Sequence, residues 1–183
     1  MAQSDRKTID KIFVLLGLVM ILVLVVIGGL ALKASSFAKS SVETQLKAQQ
    51  IFFPPKGSAP IAELPASDQT QMNKYAGQQL VNGAQAKVYA DNFIAYHLTK
   101  IADGQTYAQV SAQALANPSN AQLKAEEQSL FQGETLRGLL LGDGYSYWTF
   151  GLIAEWASIT SFVGAAVMAV LVLLGLRHMS KIK

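Results

Sequence analysis

The sequence predicts an all-α membrane protein: two transmembrane helices with a helical extracytoplasmic domain between them. Three observations predict this class. Residues 12–32, IFVLLGLVMILVLVVIGGLAL, carry no charge and no polar side chain. At ~1.5 Å of rise per residue such a run crosses a ~30 Å hydrocarbon core. A second apolar run, 157–176, closes just before Arg177. Between them the helical period recurs, and no stretch alternates apolar and polar with period two, so no sheet is expected.

Composition separates the parts. Of 183 residues, 51% are hydrophobic, close to a soluble protein's ~45–50%, but the two runs hold much of that share. The middle is rich in Ala, Gln, Ser and Asn and long enough for one small domain. The net charge of +3 comes from the ends: Arg6, Lys7 and Lys11 on one side, Arg177, Lys181 and Lys183 on the other. No basic patch is interleaved with aromatics, so nucleic acid is not an expected partner. The chain has no cysteine, which excludes disulfides, thiolate metal sites and cysteine nucleophiles.

The chain divides into five segments. Residues 1–11 form a basic cytoplasmic leader and 12–33 the first transmembrane helix. That run is too long for a signal-peptide core, so it reads as an uncleaved anchor. Residues 34–146 form the extracytoplasmic domain, 147–176 an interfacial segment and second transmembrane helix, and 177–183 a basic cytoplasmic tail. Ser40 and Glu43 match a capping box, unless the first helix simply runs on to about Gln50. Pro54 and Pro55 end that stretch, and 57–67 reads as loop. Met72, Tyr75, Ala76, Leu80 and Val81 suggest one helix face from Asp68 onward, broken at Asn82-Gly83. Helices are expected over 84–102, over 107–116, and from a Ser119 cap to Gly142. Asp143 or Ser146 then opens the last helix.

Several side chains invite a functional reading. Tyr145, Tyr147, Trp148 and Trp156 match an aromatic membrane-interface belt, with Glu155 at the same level. Glu134 and Arg137, three apart on a helix, suggest a structural ion pair. Ala157, Ser161, Ala165 and Ala169 recur every four residues beside Gly164, a small-residue surface suited to helix packing. Its expected partner is a second copy or the chain's own first span, through Gly17 or Gly28-Gly29. His97 lies among Phe93, Ile94 and Ile101 and reads as a core histidine. No phosphate loop, nucleophile elbow or triad occurs, and no catalytic residue is expected.

The segments IFFPPKG (51–57), MNKYAGQQLVNGAQAKVYADNFIAYHL (72–98) and LFQGETLRGLLL (130–141) resemble a group of actinobacterial two-span membrane proteins, over most of the chain. Its members are often labelled aromatic ring-opening dioxygenases, a label that implies an iron site, commonly two histidines and a carboxylate. The predicted topology places His97 in the middle domain and His178 beyond the second span. The residues themselves predict a non-enzymatic protein with no metal or cofactor. Its expected partners are the lipid bilayer and either itself, as a homo-oligomer, or another membrane protein complex. Its expected role is structural, or that of an accessory subunit in the cell membrane. A pore or transport component formed by an oligomer is the alternative.

Overall fold

A computed structural model describes residues 3–181; the outermost residues of the leader and tail lie outside it. The described chain is helical, with no strand beyond one isolated bridge. It forms two compact units, one of Met1–Phe37 with Phe150–Lys183, the other Ala38–Thr149.

The first unit pairs α1 (Gln3–Gln49) with α8 (Tyr147–Lys181). Both are long and apolar enough to cross a membrane. On α1 the covered positions are Val14, Gly17, Ile21, Leu24, Gly28, Ala31 and Ser35; on α8 they are Gly151, Ala154, Ser158, Ser161, Ala165, Met168, Val172 and Gly175. Each series advances by alternating steps of three and four, the 3.5-residue period of helices wound left-handedly around one another. The pairing is antiparallel, since Gly17 meets Val172, Gly28 meets Phe162 and Gly175 meets Val14. The other faces stay open: Phe13 is 68% and Trp156 67% exposed. In water, burying such a side chain would gain ~1.5–3 kcal/mol; hydrocarbon removes that drive.

The second unit has its own core. α1 ends where Gln50 turns left-handed, φ 52°, so the helix runs unbroken through Ser40 and the capping box is not used. The chain then extends and pairs with 77–80: Phe53 N–H donates to Gln78 O (2.9 Å) and Leu80 N–H to Ile51 O (2.9 Å). Short helices α2 (Ala59–Ala62) and α3 (Ala66–Asn73) fill part of the stretch expected as loop. α3 stops well before Val81, because Gly77 sits at φ +73° and redirects the backbone into that pairing. Met72 and Leu80 are fully buried nonetheless, from different elements.

Next come α4 (Gly83–Val88), a π-helical segment π1 (Tyr89–Ile94), α5 (Ala95–Ile101) and α6 (Tyr107–Ala116). The expected 84–102 helix is thus interrupted by a wider turn, whose added residue rotates α5 relative to α4. Ala90, Ile94 and Leu98 reach the core, while Ile101 is exposed. α7 (Ala121–Leu139) is capped by Asn120 rather than Ser119, its side chain accepting from the Gln122 and Leu123 amides. π2 (Leu140–Ser146) then leads directly into α8, so neither Asp143 nor Ser146 caps a new helix. Phe53, Ile61, Met72, Leu80, Val110 and Leu130 are the largest fully buried apolar side chains of this unit.

Candidate functional site

Two arrangements stand out, one in each unit. In the first, small residues set the distance between α1 and α8. A Cβ at Gly17 would lie 2.5 Å from Val172 Cγ2, and one at Gly28 would lie 3.1 Å from the Phe162 ring. The buried Ser158 hydroxyl donates to the Gly28 carbonyl at 2.8 Å, a hydrogen bond between the helices. Model transmembrane systems value such a bond at about 0.6–2 kcal/mol. Together, close backbone approach and this bond fix the register.

Of the small residues singled out in sequence, Ala165 is buried in this seam, and Ser161, Gly164 and Ala169 are half-buried. Ala157 is exposed and lies off the seam. The reason is geometric. Four residues turn a helix by about 400°, so a strict four-residue series drifts ~40° per step and leaves any one contact line. Ser158, Ala154 and Gly151 hold the seam instead; a 3.5-residue count from Ala165 finds all three. On α1, Gly17 and Gly28 face the partner helix, while Gly29 has nothing near it.

In the second unit, π1 brings Asp91 against α7. Lys87 Nζ lies 2.6 Å from Asp91 Oδ2, Arg137 reaches Asp91 Oδ1 at 3.5 Å, and Glu134 lies 3.4 Å from Arg137. Lys87 also sits over the Tyr145 ring, 5.1 Å from its centroid. Its hydrogen bond and attraction to Asp91 push the Lys87 ammonium above its ordinary pKa. Asp91 lies 46 positions from Arg137, so periodicity along one helix does not point to it. Beside this cluster Tyr75, Phe53, Tyr89, Phe93 and His97 form a ladder of rings, with successive centroids 4.4–5.3 Å apart. His97 Nδ1 lies 2.8 Å from the Phe93 carbonyl; a carbonyl only accepts, so Nδ1 carries the proton of that bond.

The expected interface residues divide between the units. Tyr145 and Trp148 are half-buried in the second, Trp148 packing on the core with Lys39 5.8 Å from its ring centroid. Tyr147 is 39% exposed. Trp156 and Glu155 belong to the first unit, Glu155 half-buried. A small cleft of about 150 Å³ lies between Val42, Leu46, Leu136 and Leu140, below the ~300 Å³ at which small-molecule sites begin.

The iron site implied by the dioxygenase label does not fit these residues. His97 and His178 belong to different units, and no three metal-ligating His, Cys, Asp or Glu side chains gather among the described residues. The chain matches no protein-family profile, and no curated protein and no solved structure is significantly similar to it.

Proposed function

We propose that this chain is a non-enzymatic integral membrane protein, a structural or accessory subunit of an oligomeric assembly in the cell membrane. One observation carries the reading: each long apolar helix covers a single 3.5-residue seam, and large side chains remain exposed around the rest. Such surfaces suit lipid and further transmembrane helices. The second unit adds a packed core of its own, and its cleft between Val42 and Leu140 holds only about 150 Å³.

The pore alternative requires polar side chains along a water-filled path. Ser35 and Ser158 are buried, and Ser158 already donates to Gly28, which favours the structural reading. The test is the mass of the full chain in lipid nanodiscs, paired with in-membrane crosslinking. A multiple of the chain mass, or reproducible crosslinks to other membrane subunits, is expected. A monomer with no crosslinked partner overturns the proposal, and ion flux through reconstituted vesicles favours the pore.

A further inference from the structure

We infer that the outward face of α7 docks a second copy of this chain, through Leu139 and the hollows on either side of it. Leu130 marks the side of α7 that enters the core, 1% exposed. On the far side Phe131, Thr135, Gly138 and Gly142 follow one another at steps of four, three and four, and all four are exposed. That is the 3.5-residue spacing of a helix contact line, running from α7 into the first turn of π2. Leu139 stands beside the line, 53% exposed. On one side of it, a Cβ at Gly138 or Gly142 would have nothing within 4 Å. On the other, the cleft of about 150 Å³ opens between Leu139, Leu136 and Leu46. Glycine weakens a helix relative to alanine, and within one copy nothing uses the space that Gly138 leaves. Tyr107 of α6 props the Phe131 ring, their centroids 5.9 Å apart, so the line begins on a positioned aromatic.

Shape and charge name the occupant. A knob beside a hollow on one surface is self-complementary: a two-fold axis through the line lays Leu139 of each copy over Gly138 and Gly142 of the other. A two-fold also brings each charge near its own image, and like charges set together oppose docking, so a self-docking face must be neutral. From Phe131 to Gly142 the line carries no charged residue. Glu134 and Arg137 beside it answer each other at 3.4 Å. A different protein would find no charge on the line to steer it. The contact rests on the oligomeric reading proposed above. Copies anchored in one bilayer meet at a raised effective concentration, so a short line can hold them.

The chain has no cysteine, so single introduced cysteines report contacts cleanly. In membranes holding the full chain, Thr135→Cys is expected to give roughly fivefold more crosslink at twice the chain mass than Glu63→Cys, at the exposed end of α2. Adding Gly138→Leu, for which one copy has room, should lower that crosslink roughly fivefold or more while circular dichroism stays unchanged. Equal crosslinking at the two positions, or a Thr135→Cys crosslink untouched by Gly138→Leu, overturns the face. A product of another mass places a different protein there and overturns self-docking as well. Mass in nanodiscs keeps the two readings apart: an oligomer that fails these crosslinks loses this face alone, whereas a monomer removes both.

Discussion

Tyr89 and Lys87 give the second unit an alkaline limit. Burial pushes the Tyr89 phenol up, because the low-dielectric core disfavours the phenolate. The bond to Asp91 pushes Lys87 up. In both cases the folded pKa exceeds the unfolded value, near 10 for tyrosine and 10.4 for lysine. Their contributions are therefore complete below pH ~10 and fade as pH rises through the folded values. Thermal melts of the detergent-solubilised chain should show a falling Tm above pH ~10, with a shallower fall for Tyr89→Phe. A Tm that rises with pH over that range contradicts this. The charged cluster matters less than the rings beside it. Its members are about one-third to one-half exposed, and such pairs contribute up to ~1 kcal/mol each. Phe53, 1% exposed, accounts for ~3–5 kcal/mol when truncated to alanine.

Among the elements, α7 offers a comparison within one helix. A Cβ at Gly133 would collide with Leu98, a buried core side chain of α5, whereas Gly138 has nothing within 4 Å. Gly138→Ala should stabilise by up to ~1 kcal/mol through helix propensity. Gly133→Ala meets ~1–3 kcal/mol of overpacking and should destabilise. Chemical denaturation of both variants checks the pair, and equal signs would contradict the packing. α8 offers a second comparison. Ala165→Leu, in the seam, should loosen the helix pair, while Ala157→Leu, facing outward, should leave it unchanged; crosslinking between cysteines introduced at Val14 and Gly175 reads the difference. Helices with clear local signals were legible in sequence. α6 is bounded by Thr106, whose capping box with Gln109 is complete, and by Asn117-Pro118. The π segments were not legible, since one added residue in a turn leaves no periodic trace over so short a length. Neither was the 51–53 with 77–80 pairing, which depends on contacts across 24 or more residues and on a left-handed Gly77.

Considered whole, the chain displays its apolar spans openly and its charged cluster only in part: Glu134 and Arg137 share a helix, but Asp91 joins them through tertiary folding. The basic flanks predict that both termini face the cytoplasm. Protease added to intact spheroplasts should then cut the second unit and spare a tag after Lys183; loss of the tag would reverse the orientation. The antiparallel seam also has a consequence in time. Its two halves are separated by roughly 120 residues of chain, which a ribosome needs about 6–24 s to make at ~5–20 residues per second. In a membrane-spanning chain, α1 would hold Gly17 and Gly28 toward the bilayer through that interval, with no α8 to receive them. A first span inserted in lipid would then have to persist alone, and in those seconds a helix from another protein could compete for the same face.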